Sequence, residues 1–378
     1  MAAELSERSA PLPQEILGLV STPGTLVAWG TDFPTGKRGE AAAVLWISSN
    51  GRDWRRVIFS PVGLRAGQKV DIRRVAAGPL GFVAIGAECC RPDQTQVWYS
   101  TDGETWVPGE LKNQVGVRAA GDPQLLAVSS GSSEFVVSGR TPDGPAIWRS
   151  VDGVHWSQSG FEKPVESGEI SDVRFTGKTF VAAGRIDAAG KHSAEWDPAL
   201  WVSDDGTTWR RLGDKDPILS DSEDGQIQEI VPFAKGFWAF GLTGDHTTRM
   251  ACALDEDCIW FDFAAWYSRD GQTWERLPPP LAPAGAQAGP RLEEYRVVDA
   301  AWDRLISVGE DSLGSPALWV AEDARTWVRI PSVNGLPDGA SVNGIAVQGS
   351  ELIAVGTQPN SISGDDGAVW IGHVQLDK

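Results

Sequence analysis

Short apolar runs closed by a glycine return along this chain at intervals of about fifty residues. They read Leu26-Val-Ala-Trp-Gly30, Phe82-Val-Ala-Ile-Gly86, Phe135-Val-Val-Ser-Gly139, Phe180-Val-Ala-Ala-Gly184, Phe237-Trp-Ala-Phe-Gly241, Leu305-Ile-Ser-Val-Gly309 and Leu352-Ile-Ala-Val-Gly356. A turn precedes each, as at Gly81, Gly177 or Lys235-Gly236, and before the turn lies an earlier apolar stretch such as Ile72-Arg-Arg-Val-Ala76 or Ile345-Ala-Val-Gln348. Runs this short, punctuated by Gly, Pro and Asp, predict strands, and no stretch carries the 3.6-residue period of a helix.

Downstream of each run stands a second signal, bracketed by two tryptophans. The clearest copies are Trp98-Tyr-Ser-Thr-Asp-Gly-Glu-Thr-Trp106, Trp148-Arg-Ser-Val-Asp-Gly-Val-His-Trp156, Trp201-Val-Ser-Asp-Asp-Gly-Thr-Thr-Trp209 and Trp266-Tyr-Ser-Arg-Asp-Gly-Gln-Thr-Trp274. In the first copy Asn50 replaces the Asp, and in the sixth Ala321 and Ala324 replace the Ser and the Gly. Trp370 opens a seventh that never reaches its turn. Asp-Gly supplies a tight turn, because Asp bonds back to its own backbone and Gly takes the positive φ that other residues avoid. The tryptophans then lie on the strands either side. Thirteen of the eighteen occupy these two positions, and a large ring at fixed places in a repeat packs one unit on the next.

Each unit is therefore four strands, and seven such units in an all-β chain predict a seven-bladed β-propeller of four-stranded antiparallel blades. The whole of 1–378 reads as one domain, with blades near 16–57, 70–107, 124–158, 170–212, 227–278, 295–330 and 342–378. The seventh unit lacks its outer strand, so residues 1–15 are expected to supply it and close the ring. A β-helix would need shorter, uniform turns, and a row of sandwiches would need linkers.

The bracketed motif resembles the Asp box, or bacterial neuraminidase repeat, of sialidases, sortilin-type receptors and a photosystem assembly factor. The usual box reads Ser-X-Asp-X-Gly-X-Thr-Trp, and this chain's form, Ser-X-Asp-Gly-X-X-Trp, is one residue shorter. The resemblance implies a structural turn on the face opposite any active site. It assigns to the fold Ser100, Asp102, Gly103 and Trp106; Ser150, Asp152, Gly153 and Trp156; Ser203, Asp205, Gly206 and Trp209; and Ser268, Asp270, Gly271 and Trp274.

Composition narrows the partners. Fifty-one acidic against thirty-three basic residues give a net charge of −18, which argues against nucleic acid, whose binding needs clustered Lys and Arg. No apolar run is long enough for a membrane helix, and the polar start reads as no signal peptide. The four cysteines stand as Cys89-Cys90 and Cys252-x5-Cys258, spacings that match no zinc site. Cys252–Cys258 is read as bridged, whereas Cys89–Cys90 is as readily reduced as joined. A bridge favours an oxidising, extracellular or cell-surface setting, with this chain a mature form.

Variation, and hence function, is expected on the face away from the Asp-Gly turns. There the loop from the Gly-closed strand to the Trp strand has 8 residues in unit three and 24 in unit five. Units four and five bring His192, Glu195, Trp196, Asp245, His246, Arg249, Asp255, Asp257 and Trp260 to this face. One reading is an aromatic platform beside carboxylates and imidazoles, suited to a sugar or a cation. The other is that Trp260 extends its strand and packs on its loop. No cofactor is expected; Asp255-Glu256-Asp257 offers Ca²⁺ the right oxygens but not the order of a calcium loop. Nucleophile-elbow, phosphate-loop, zinc-protease and dinucleotide motifs are absent. A sialidase would need an early Arg-Ile-Pro, but Arg329-Ile-Pro331 comes late and in an outer strand. The expected function is non-catalytic binding of a protein, peptide or glycan on the long-loop face. A glycoside hydrolase with two carboxylates at the channel mouth is the alternative.

Overall fold

A computed structural model describes residues 3–33, 41–64, 68–88, 91–112, 123–165, 167–187, 196–213, 224–233, 235–244, 261–277, 295–310, 316–323, 325–330, 333–360 and 364–374. It is a seven-bladed propeller of small antiparallel sheets, and no helix occurs among these residues. Blade four shows the plan: Gly168–Phe175 lies innermost, then Phe180–Asp187, Trp196–Ser203 and Thr208–Arg211, each antiparallel to the one before. The innermost strands of blades two, three, five, six and seven are Arg74–Gly78, Gln124–Ser130, Asp224–Phe233, Tyr295–Ala301 and Ser341–Gln348. One long strand, Ala3–Thr22, serves two blades. Its second half pairs with Thr25–Asp32 as the inner strand of blade one, and Ala3–Ser9 pairs antiparallel with Gly364–Val374 of blade seven.

Among the described residues the buried apolar side chains form seven cores, each shared by two neighbouring blades. Trp148 and Trp156 of blade three, for example, pack among Val83, Ile85 and Val97 of blade two. Trp201 and Trp209 do the same on blade three, and Trp266 and Trp274 on blade four. The rings are buried because each blade, being one sheet thick, has no core of its own. The tryptophan pair is thus the wedge by which a blade grips the one before it.

The glycine closing each second strand has a different cause. In blade four the register slips between Ile170 and Asp172, leaving Ser171 as a bulge, and Gly184 stands opposite Ile170. A β-carbon on Gly184 would lie 2.0 Å from the carbonyl oxygen of Glu169. The same collision, at 1.8 to 2.0 Å, recurs at Gly30, Gly86, Gly139, Gly241 and Gly356. Bulges at Leu17, Leu126, Gln228, Arg296 and Asn343 repeat the slip. The bulge bends each inner strand at the channel, and only glycine lets the neighbouring backbone come so close.

Three short strands were not foreseen. Glu110–Lys112, Gly160–Phe161 and Val333–Asn334 run parallel to the outermost strand of the next blade before the chain turns inward. Each covers part of an edge that would otherwise present unpaired backbone groups to water. No apolar periodicity marks pieces this short, so the sequence hides them.

Candidate functional site

The bracketed turns are built alike. In blade two the Gly103 amide donates to Ser100 Oγ at 2.9 Å, while the Glu104 and Thr105 amides both donate to Asp102 Oδ1 at 2.8 Å. The Trp106 indole N–H donates to the Gly103 carbonyl at 3.1 Å. Blades three, four and five repeat the Ser, Asp and Trp contacts. Backbone amides, from Thr105 to Asp102, Thr207 to Asp205 and Thr273 to Asp270, hold these carboxyls below the usual carboxylate range. One oxygen of each carboxylate, Oδ1, is thereby committed to the turn. Asn50 in the first turn keeps both bonds, accepting from Arg52 and Asp53 at 2.8 Å. The expected outcome is that Asp152→Ala costs about 1–2 kcal/mol and Asp152→Asn less than half of that, read from urea midpoints.

His192, Glu195, Asp245, His246, Arg249, Asp255, Asp257 and Trp260 lie outside the described residues, as do all four cysteines. Trp196 is described. It opens its strand opposite Asp187, and the Arg185 guanidinium carbon sits 3.7 Å from its ring centre. Arg185 is itself held by Glu169 at 3.3 Å, and Arg140 of blade three reaches the same carboxylate at 3.8 Å. One face of this aromatic platform is therefore already covered by a cation of its own chain. Among the described residues no group of three or more His, Cys, Asp or Glu is placed to hold a metal.

The cluster that sequence reasoning did not single out lies in the bore. A cavity of about 500 Å³ runs along the axis, walled by the inner strands of all seven blades. Blade four contributes Asp172 and Arg174, blade five Glu229, blade six Asp299 and blade two Arg74. Arg174 Nε lies 3.1 Å from Asp172 Oδ2 and 3.0 Å from the Ile230 carbonyl, and its Nη2 lies 3.3 Å from Glu229 Oε1. Asp172 Oδ2 also accepts the Ile230 amide at 2.8 Å. Ser171, the bulge residue, donates to the Ile227 carbonyl at 2.6 Å. These bonds cross from blade four to blade five, so the network is a rivet between blades as well as a charged wall.

Its electrostatics follow from partial burial. Asp172 is 6% exposed, and loss of water raises its carboxyl despite Arg174. Burial pushes Glu229 up to about 7, again against the pull of Arg174. The unfolded value is near 4.5, so the proton-bound form is favoured by folding. Its stabilising effect is full below that value and is lost as the pH rises through 7. Glu229→Gln, which mimics the protonated form, should gain about 1–2 kcal/mol on the wild type between pH 5 and pH 8, after screening. Urea midpoints at the two pH values test this.

A second hollow, of about 720 Å³, lies between blades four and five on the turn side. Phe175, Phe233 and Phe237 line it beside Lys178 and Arg269.

No protein-family model and no curated protein sequence matches the chain. Solved structures match its fold. Hydrazine synthase of Kuenenia stuttgartiensis superposes with a TM-score of 0.56 at 12% identity, over 98% of this chain and 98% of that one. The β-propeller domain of the trilobed protease from Pyrococcus furiosus does so at 0.53 and 8%, over 96% and 94%. A sialidase of Trypanosoma rangeli superposes at 0.48 and 12%, over 97% of this chain and 56% of its own. Identities this low show the propeller architecture and leave function to the site.

Proposed function

We propose that this chain is a non-catalytic recognition propeller, exported, that presents its long-loop face to a protein, peptide or glycan. The observation that carries the reading is the fate of Arg174. Its Nε faces Asp172 and the Ile230 carbonyl and its Nη2 faces Glu229, so we read the arginine that converges on carboxylates as a tie between two blades and not as a substrate clamp. Asp172, nearly closed to water, is likewise occupied. The Asp-box assignment fits the same view, since each turn spends its Ser hydroxyl and one carboxylate oxygen on its own backbone. Recognition then falls to the loops of blades four and five.

One observation favours a second reading, a glycoside hydrolase. Glu229, raised to about 7, would hold a proton at neutral pH as a general acid needs. Asp299 of the next blade lines the same bore and would be its partner. A screen of chromogenic glycosides from pH 5 to 8, run beside a glycan array and a peptide library, separates the two. Recognition predicts no turnover, and binding that disappears when the 242–265 loop is cut to the eight residues of unit three. Turnover that is lost in Glu229→Gln overturns it.

A further inference from the structure

We infer that the outer edge of blade one is a docking site, apart from the loop face, for an extended segment of a partner protein. The segment pairs as a parallel strand and lays a bulky apolar side chain over Trp54. The chain itself supplies the pattern. In blades three, four and seven the incoming link lies along the outermost strand before it turns inward, as Glu110–Lys112, Gly160–Phe161 and Val333–Asn334. In blade two the Val62 amide donates to the Trp106 carbonyl at 2.9 Å, as the Glu162 amide does to the Trp209 carbonyl in blade four. These links also bring apolar groups to the tryptophans. The Phe59 ring lies 5.3 Å from that of Trp106, Leu111 packs on the core that holds Trp156, and Phe161 on the core that holds Trp209.

Blade one is denied such a link by the way the ring closes. Gln158 stands opposite Trp148 in blade three and Glu7 opposite Trp370 in blade seven, so Ser9 holds the place of Gly160. Gly160 crosses to the outer strand of blade four. Ser9 instead stays opposite Ala368, and its strand runs on to become the inner strand of blade one. Arg55–Ile58 therefore ends its sheet with no strand on its outer side among the described residues.

Backbone and side chain both bear the mark of the missing link. The Phe59 amide bonds inward to Ala43, so by the alternation of an antiparallel ladder the backbone groups of Arg56 and Ile58 face outward. No donor among the described residues reaches the Trp54 carbonyl, the counterpart of the acceptors at Trp106 and Trp209. Trp54 is only partly buried, whereas Trp106, Trp156, Trp209, Trp274 and Trp327 are at most 8% exposed. Ile58, at the end of the same strand, is 59% exposed. An open edge is a template for a further extended chain. Main-chain bonds supply the affinity in such pairings and a side-chain contact the selectivity. Charge has little part, since Arg52, Arg55 and Arg56 are already paired with Glu351, Glu104 and Asp32.

The experiment is an NMR titration of the full chain with acetyl-Ser-Gly-Phe-Glu-Lys-amide, the sequence of its own blade-four link at Ser159–Lys163. The Trp54 indole N–H and the Arg56 amide are followed, and both should shift saturably with a Kd of about 1 mM or tighter. The peptide with Ala in place of Phe should bind at least about tenfold more weakly, because it has no apolar group to lay on the indole. N-methylation at its Glu removes the donor to the Trp54 carbonyl and should weaken binding about fivefold. Sodium chloride at about 0.5 M should change the affinity by less than about twofold. Trp54→Ala should abolish the shift at Arg56 while the chain still melts in one cooperative transition. No saturable shift, equal affinity for the three peptides, or shifts confined to other blades overturns the inference. A dimer in sedimentation that the peptide takes apart would give the edge to a second copy of the chain, and overturns it too.

Discussion

Gly184→Ala should cost this protein about 3 kcal/mol or more, among the largest effects of any single methyl group in the chain. The cause is a collision with backbone. A β-carbon there would stand 2.0 Å from the Glu169 carbonyl oxygen and 2.9 Å from the Ile170 α-carbon, and neither can step aside as a flexible side chain would. Relief requires the inner strand to move away from Phe180–Asp187, which pulls Ser171 and Asp172 off their bonds to Ile227 and Ile230 of blade five. Strain in one blade is thereby passed to the junction with the next. Gly160→Ala is the control, since a β-carbon at Gly160 meets nothing within 4 Å and should change stability by less than about 0.5 kcal/mol. Urea midpoints of the two variants decide the matter. Equal midpoints would mean that the repeated glycine has no part in holding the bulge.

The same comparison shows what a reader of the sequence can reach. The Gly-closed runs, the Asp-Gly turns and the tryptophan pairs recur at fixed spacing, and each is dictated by a local event repeated around the ring, so the architecture is legible from the copies together. Asp172, Arg174, Glu229 and Asp299 are not repeated. Each is a departure from an apolar or small residue at one step of the ring, and they come together only because the ring closes. A trace exists in hindsight. At the position after the bulge, and at its counterpart in blade two, the chain reads Gly18, Arg74, Ala127, Asp172, Glu229, Val297 and Gly344, small or apolar on some blades and charged on others. Since every blade shares both faces with its neighbours, a charge in an inner strand has only the bore to go to. The loops drew attention instead because they are long and carry His and Trp. Of those residues Trp196 alone is described, and it already lies under Arg185.

The tryptophan pairs provide the sharper test of how the blades adhere. Trp156→Ala should cost about 3–5 kcal/mol, while Trp156→Phe should cost about 1–2 kcal/mol, chiefly through the lost indole hydrogen bond. Trp156 is wholly buried in the core that blade three shares with blade two, and its N–H donates to the Gly153 carbonyl at 2.9 Å. Removing the ring empties a space bounded by two separate sheets, and a hollow between sheets closes less easily than one within a flexible core. Trp54, the matching residue of blade one, is only partly buried, although it keeps the equivalent bond to Gly51 at 2.7 Å. Trp54→Ala should therefore cost well under half as much. If the two alanine variants melt at the same temperature, burial between blades is not what the tryptophans contribute. The hydrogen bond to the turn glycine, which both share, would then be the common cause.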